Sequence, residues 1–376
     1  MKKVWVLTVT AGAGHLRAAQ ALAKAYHKLY PHLDVSLINV LDYTNRFFQK
    51  AYPSAYFHAV DKLPEFYGWL YRTSNNRLIY RLISYPRSIY NRLNAMDFIK
   101  YLQRGKPDLI ICTHFLPAQV ISALRRRGIR TPYTACIITD FGLHTFWIYR
   151  NLDLYIVPSK ENKDHLKKLG VNRVEVLGIP IDPVFAESKS KEELAEHFGL
   201  DKDVFTVLVL CGGFGVGPIE KIVKQLQDVD RPIQIIVVAG KNPVLKYNLS
   251  KSRLKKRTKI LGFIENMDEI MTISDLLISK PGGLTVSESM SKTLPMIIIN
   301  PTPGQEYWNT IFLLKNGIAF YIEEGDDIVS KVEGIVDNWQ KFGEIKSKIE
   351  KYATPYSATE CIEKIKKNYN GSGEDL

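Results

Sequence analysis

The chain has 376 residues, 45% of them hydrophobic, and a formal net charge of +12; a single hydrophobic core stops growing below this length, so two domains are expected. No run approaches the roughly 18 apolar residues that a spanning helix requires, and the N-terminus enters a strand-like segment at once, so neither an integral membrane protein nor a secreted one is expected. The charge is one-sided: residues 1–180 hold 26 Lys and Arg against 11 Asp and Glu, whereas residues 181–376 hold 25 against 28, which points the first half toward an anionic partner, a phospholipid surface or a nucleic acid.

In chain order, apolar β-rich runs alternate with helix-length amphipathic segments. Val4 to Thr10, Val35 to Val40, Leu109 to Cys112, Tyr133 to Ile138 and Leu154 to Val157 read as buried parallel strands. Phe205 to Cys211, Ile233 to Ala239, Ile260 to Leu261, Asp275 to Ser279 and Met296 to Asn300 repeat the plan. The expected fold class is therefore α/β, with two Rossmann-like, doubly wound domains. Gly178-Ile179-Pro180-Ile181-Asp182-Pro183, followed by a charged stretch, has the character of a linker and places the boundary between domains of 1–183 and 184–350. After about Asp327 the pattern turns helical; 351–376 is expected to form a helix returning to the first domain, with a frayed tail from Gly371 to Leu376. The cysteines, Cys112, Cys136, Cys211 and Cys361, are too widely spaced for a metal site and read as buried, reduced thiols.

An insertion interrupts the first half. Residues 43–101 hold 15 aromatics, nine Lys and Arg and only three acids. Such a mixture suits the headgroup boundary of a bilayer, where rings enter the acyl region and cations meet lipid phosphates. Phe47, Phe48, Phe66, Trp69, Arg81 and Arg87 are the candidates for that contact. The competing reading makes the aromatics the core of a helical subdomain and the arginines its solvated face; the charge asymmetry favours the membrane.

The chemistry-bearing motifs fall at strand ends, where open α/β sheets bind their ligands. The first strand runs into Ala11-Gly12-Ala13-Gly14-His15 and then a helical stretch. A third glycine is missing at Arg17 and no acid ends the next strand, which disfavours a dinucleotide cofactor. His15 is placed to act as a catalytic imidazole, or else merely caps the helix. After Phe205 to Cys211 comes Gly212-Gly213-Phe214-Gly215-Val216-Gly217-Pro218, a turn whose four glycines imply tight backbone beside a ligand. Ser279-Lys280-Pro281-Gly282-Gly283-Leu284-Thr285-Val286-Ser287-Glu288 opens a helix whose N–H groups and dipole suit a diphosphate. Thr285 and Glu288 share a face there, hydroxyl toward phosphate and carboxylate toward a ribose diol; alternatively Glu288 is a surface acid. Gln305, Glu306 and Asn309, after the next strand, are groups of the kind that read sugar hydroxyls. The Asp326-Asp327 pair lies beyond these elements, and no metal site is expected from it.

Taken together, the glycine turn with His15, the Gly-Gly-x-Thr-x-x-Glu helix start and the Gly304-Gln305-Glu306 loop resemble the monogalactosyldiacylglycerol synthase and processive diacylglycerol glucosyltransferase family, of the GT-B fold and related to family 28. The resemblance extends through Thr139-Asp140-Phe141-Gly142-Leu143-His144-Thr145-Phe146-Trp147, Gly178-Ile179-Pro180, Val238-Ala239-Gly240-Lys241-Asn242 and Gly262-Phe263-Ile264-Glu265-Asn266-Met267. It implies two domains facing across a cleft and an inverting, metal-independent transfer of glucose or galactose from UDP-glucose or UDP-galactose to diacylglycerol. No cofactor is implied. By position it assigns the diphosphate to Gly282, Gly283 and Thr285, the ribose to Glu288, the uracil to Phe263 and Met267, and the sugar to Gln305 and Glu306. Gly14, Gly213 and Gly215 would line the cleft and Asn309 would join the donor site. His15 would be the base or the group orienting the acceptor hydroxyl, with Asp140 and His144 beside it and Trp147 on the acceptor or membrane side.

The departures from the family pattern, Ala-Gly-Ala-Gly-His in the first turn and Pro281-Gly282-Gly283 in the second, remove no side chain that the chemistry needs. The implied setting is cytoplasmic, bound peripherally to the inner face of the cell membrane through an anionic surface. Alternatives are a GT-B transferase with a polyprenyl-linked acceptor or a UDP-sugar epimerase of the same fold. A nucleic-acid partner is not expected, since it gives no reason for the Gly-Gly-x-Thr-x-x-Glu start. The sequence leaves the oligomeric state undetermined.

Overall fold

The computed structural model describes residues 1–376 except Ala11, Phe214, Val216, Glu324, Gln340, Lys341 and 372–376. Two of the sequence motifs are thus described in part: Ala11, Phe214, Val216 and the tail expected to fray beyond Gly371 lie outside the described residues. The chain divides into one unit of Met1–Pro183, Thr302–Trp308 and Tyr356–Leu376 and another of Val184–Pro301 and Asn309–Pro355. The Gln305-Glu306 loop, expected with the C-terminal half, therefore groups with the first unit.

In the first unit the chain runs β1 (Lys3–Thr8), α1 (Ala13–Leu29) and β2 (Asp34–Asn39), then the insertion helices α2 (Arg46–Lys62), α3 (Pro64–Asn75) and α4 (Arg77–Asn94). It continues through α5 (Met96–Gly105), β3 (Leu109–Cys112), α6 (Phe115–Arg125), β4 (Tyr133–Ile137), β5 (Leu154–Val157), α7 (Lys160–Lys168) and β6 (Val174–Val176). All six strands are parallel, in the order β2-β1-β3-β4-β5-β6. The four central strands alternate apolar residues to both faces, which is why they read as continuous hydrophobic runs. One face packs Trp5, Leu7, Ile110, Cys112 and Tyr155 against α5 and α6. The other packs Val4, Val6, Ile111 and Ile156 against Leu22 and Tyr26 of α1, together with Cys361, Ile362 and Ile365 of the C-terminal helix.

The second unit runs α8 (Lys191–His197), β7 (Phe205–Leu210), α9 (Ile219–Gln225), β8 (Ile233–Val238), α10 (Pro243–Lys251), β9 (Thr258–Leu261) and α11 (Met267–Ile273). Next come β10 (Leu276–Ser279), α12 (Gly283–Ser291), β11 (Met296–Ile299), α13 (Gln305–Lys315), of which the part from Asn309 belongs to this unit, β12 (Ala319–Ile322), α14 (Ile328–Asp337) and α15 (Phe342–Glu350), before α16 (Ser357–Gly371) returns to the first sheet. Its strands are parallel in the order β12-β11-β10-β7-β8-β9. Both sheets reverse direction of winding once, at β1/β3 in the first and β7/β10 in the second. Ligands of doubly wound sheets bind beyond the strand ends at such a switch point.

The expected strands are present with ends shifted by a residue or two; Asn300, for example, leaves β11 with a left-handed φ of 38°. Two were missed, β6 and β12, short edge strands whose residues are only partly buried. All four cysteines are buried, reduced thiols.

Candidate active site

In the first unit the β1/β3 switch point is built from Gly12, His15, Thr113 and His114. Gly12, with φ of 116°, turns the chain out of β1, and α1 starts at Ala13 without a side-chain cap. His15 Nδ1 stands 3.0 Å from the Thr113 carbonyl and 2.8 Å from Thr139 Oγ1. A carbonyl only accepts, so Nδ1 carries the proton and shares it with the two oxygens, which leaves the lone pair on Nε2. The Thr113 hydroxyl donates back to the His15 carbonyl (3.1 Å), fixing both residues. The ring is half-buried; burial outweighs the Thr113 bond and lowers its pKa to about 4. The imidazole is thus neutral, but a weaker base than the near-neutral histidine that the sequence led one to expect.

His114 was not anticipated. It caps α6 through Nδ1, which accepts from the Leu116 N–H (3.0 Å), and its ring meets that of His15 edge-on at 4.7 Å and 86°. Trp147, 4% exposed, packs 6.0 Å from His15 and 5.8 Å from Phe115. It is a buried wall of this site and makes no membrane contact.

His144 is engaged on both sides. Nδ1 accepts from the Phe146 N–H (3.1 Å), so Nε2 donates to the Tyr71 carbonyl (3.1 Å), and the ring packs against that of Tyr71 at 4.3 Å, tilted by 53°. It clamps α3 to the loop after β4, leaving no ring nitrogen for proton transfer. Asp140, on the same loop, lies close enough to Tyr56, Tyr67 and Tyr71 for its charge to reinforce burial in raising their hydroxyl pKa values. Those tyrosines hold the Gln305 loop: Gln305 donates to Tyr56 Oη (2.9 Å) and accepts from Tyr67 Oη (2.8 Å). Gly68 and Gly304 allow the approach, since an added Cβ would meet Pro303 at 2.6 Å and Tyr71 at 3.1 Å, respectively. Glu306 accepts from the Thr302 N–H (2.6 Å) and closes the loop. Part of the amide expected to read a sugar is therefore committed to the insertion helices.

His15, His114 and His144 are all held neutral, with folded-state pKa values below the ordinary 6.5. The unfolded chain takes up protons that the folded chain refuses as pH falls from about 6.5 toward about 4, so stability is full above that window and is lost on acidification. Each histidine contributes at most about 1.4 kcal/mol per pH unit. Urea melts are expected to show the midpoint falling steeply from pH 6.5 to 5, and less steeply in His114→Asn. A flat midpoint would contradict the burial of these rings as neutral groups.

The insertion helices expose apolar side chains outward. On α4, Leu78 (70% exposed), Leu82 and Tyr85 lie at i, i+4 and i+7, one stripe of the helix. Polar groups occupy its inner side instead: Asn91, buried, donates to Gln119 (2.6 Å), and Arg87 lies 3.7 Å from the Phe146 ring centroid while donating to Tyr149 Oη (3.2 Å). Phe47, Phe66 and Trp69 are exposed, the last two stacked at 5.9 Å, and Arg81 is exposed beside the α4 stripe. Two expected lipid contacts are corrected. Phe48, 3% exposed, is core, and Arg87 faces inward because aromatic faces and a phenol receive its guanidinium. Among the described residues no helix is long and apolar enough to cross a membrane.

In the second unit the β7/β10 switch point joins two turns. Gly215 has φ of 61°, and a Cβ there would come 2.1 Å from the Ala239 carbonyl oxygen, so only glycine fits. The Lys241 N–H donates to the Gly213 carbonyl (3.0 Å) and Asn242 to the Gly215 carbonyl (3.2 Å), which fixes the turn against the end of β8. A Cβ on Gly217 would lie 3.5 Å from Lys280 Cε, so the glycine turn borders the start of α12. That helix has Gly282 as N-cap, which has no side chain to bond its first N–H groups. Thr285 is partly exposed; Glu288 is 3% exposed, which removes the surface-acid reading. Asn309, fully buried, donates to the Pro281 carbonyl (2.9 Å) and braces the turn from α13. Phe263 presents an exposed face with Lys241 Nζ 5.3 Å from its centroid, and Met267, 8% exposed, begins α11. Gly14 has open space where its Cβ would be. Among the described residues, no three His, Cys, Asp or Glu side chains group to hold a metal ion.

The two doubly wound units, each with a glycine turn at its switch point, define the GT-B fold. The fold is shared with MurG of Acinetobacter baumannii (TM-score 0.64, 14% identity, covering 98% of this chain and 100% of that one) and with Staphylococcus aureus MnaA solved with UDP (TM-score 0.62, 14% identity, 98% and 97%). The profile of the monogalactosyldiacylglycerol (MGDG) synthase family matches residues 15–181, and that of the glycosyltransferase family 28 C-terminal domain matches residues 206–366. The processive diacylglycerol β-glucosyltransferases of Bacillus pumilus and Bacillus subtilis are each 30% identical, over 372 and 374 residues, covering 97% of this chain and 94% and 95% of theirs. The chain belongs to this family of diacylglycerol glycosyltransferases.

Proposed function

We propose that the protein transfers glucose or galactose from a UDP-sugar to diacylglycerol, with inversion at the anomeric carbon, while bound to the inner face of the cell membrane. The observation that carries the reading is the fixed tautomer of His15: the Thr113 carbonyl holds the proton on Nδ1, so Nε2 is the base. The acceptor hydroxyl gives its proton to Nε2 as its oxygen bonds to the anomeric carbon. The bond from that carbon to the diphosphate oxygen breaks, and UDP leaves with the electron pair. The uncapped N-terminus of α12, with Gly282, Gly283 and Thr285, supplies dipole and N–H groups to the departing diphosphate. Glu288 accepts from the ribose diol, Phe263 and Met267 border the uracil, and Gln305 with Glu306 faces the hexose. In this scheme His144 and Asn309 position neighbouring segments and do not touch substrate.

The β-glucosyl product named for the relatives supports inversion, because UDP-hexoses carry the sugar α-linked. The outward stripe of α4 with Phe47, Phe66, Trp69 and Arg81 supports membrane docking. Purified protein incubated with labelled UDP-glucose or UDP-galactose and diacylglycerol in mixed micelles is expected to yield a β-hexosyl lipid. Transfer only to a polyprenyl-linked acceptor, or conversion of the UDP-sugar without any acceptor, would refute the reading.

Binding to the bilayer should also be separable from catalysis. Phe66→Asp with Trp69→Asp is expected to lower sedimentation with anionic vesicles at least about tenfold, since burying each ring stabilises by roughly 1.5–3 kcal/mol. Arg81→Glu should weaken binding and flatten its salt dependence, whereas Arg87→Lys should leave the salt dependence unchanged. Unaltered sedimentation in the double variant would exclude this face.

A further inference from the structure

We propose that His114 is a hydrogen-bond donor of the acceptor site, its Nε2–H held for the ester carbonyl that neighbours the hydroxyl deprotonated by His15. The inference rests on diacylglycerol being the acceptor. Because Nδ1 of His114 accepts the Leu116 N–H at 3.0 Å, the single proton of the neutral ring sits on Nε2. The residue is 3% exposed, and among the described residues no group bonds to Nε2. An imidazole N–H that no protein group accepts from is available to a ligand. The ring stands edge-on to His15, with centroids 4.7 Å apart, so the two imidazoles are direct neighbours.

Diacylglycerol presents the complement: a hydroxyl that donates and, on the adjacent glycerol carbon, an ester carbonyl that accepts. The other ring neighbours are aromatic. Phe115 lies at 4.1 Å, Tyr52 and Trp147 both at 6.3 Å, and these surfaces suit glycerol and the start of an acyl chain. Burial first, then the charges of His15 and Arg87, lower the His114 pKa, so the ring donates as a neutral imidazole throughout the working pH range. A neutral donor is matched to an uncharged ester.

The test separates this role from helix capping. His114→Asn keeps a cap, since the amide oxygen can accept the Leu116 N–H, but removes the Nε2–H; His114→Gln can place an N–H near the Nε2 position while losing the cap. With 1,2-diacylglycerol, His114→Asn should lower kcat/KM about tenfold or more, and His114→Gln should recover part of the loss. With a 1,2-dialkylglycerol, whose ether oxygens replace the carbonyls, wild type and His114→Asn should agree within about twofold, with UDP binding unchanged on both. Equal losses on the two acceptors, or no loss on either, overturn the proposal while leaving the diacylglycerol reading intact. Absence of transfer to both acceptors by the wild-type protein overturns that reading and this proposal with it. Circular dichroism melts of both variants identify a loss caused by unfolding; if only His114→Gln folds, a preference for the ester acceptor retained in it supports the donor role, and equal losses on ester and ether acceptors decide against it.

Discussion

Replacing His15 by alanine is expected to reduce turnover at least about 100-fold while UDP affinity stays within about twofold, the signature of a lost general base. The asymmetry follows from placement. His15 belongs to the first unit, pinned by Thr113 and Thr139, while the groups assigned to UDP lie on α12, α11 and the turn after β7 in the second. His15→Gln, which can retain the bond to the Thr113 carbonyl but has no basic nitrogen, should be nearly as inactive as alanine. The pH profile adds a second readout. Burial holds the His15 pKa to about 4, so the base is already deprotonated at pH 5, and kcat/KM should be level from about pH 5 to 8 as far as this group is concerned. An acid limb near 6.5 would mean that the free enzyme uses an exposed histidine; unaltered turnover in His15→Ala would remove the residue from the mechanism.

Glu288→Gln should weaken UDP binding about 10- to 100-fold, since a hydrogen bond to a charged acceptor contributes roughly 1.5–3 kcal/mol. Glutamine preserves shape and is preferred to alanine at a site only 3% exposed, where a cavity would add its own destabilisation. At saturating donor, turnover should fall by much less, because the ribose contact is the same before and during transfer. Titration calorimetry with UDP measures the effect without the lipid acceptor. Affinity within twofold of wild type would contradict the ribose assignment, and an equal loss for UDP and free phosphate would move the role of Glu288 to the diphosphate.

How far the sequence could be read varied with the kind of interaction. Apolar β-rich runs made ten of the twelve strands among the described residues visible, and β6 and β12, of three and four residues at the sheet edges, escaped. The glycine turns were legible because Gly215 occupies backbone space that no other residue can, with φ of 61° against the Ala239 carbonyl. His15 was found through its turn. His114 was not: its only local sign is a histidine two residues after β3, and its meaning depends on β3 lying next to β1 in the sheet. The aromatic and basic insertion was recognised as a class, but its inward and outward faces could not be sorted by composition.

By itself the sequence determined the two α/β units, the turns at their strand ends and the family, since these depend on hydrophobic periodicity and on local backbone requirements carried by neighbouring residues. Tertiary structure alone decided which nitrogen of His15 is basic, that His144 and Asn309 act as braces, and that Phe48 and Arg87 turn inward while Leu78 and Leu82 face out. Those outcomes rest on partners between about 28 and 98 residues away. A side chain's protonation and direction follow from the groups packed around it, and strand order, not chain order, brings those groups together.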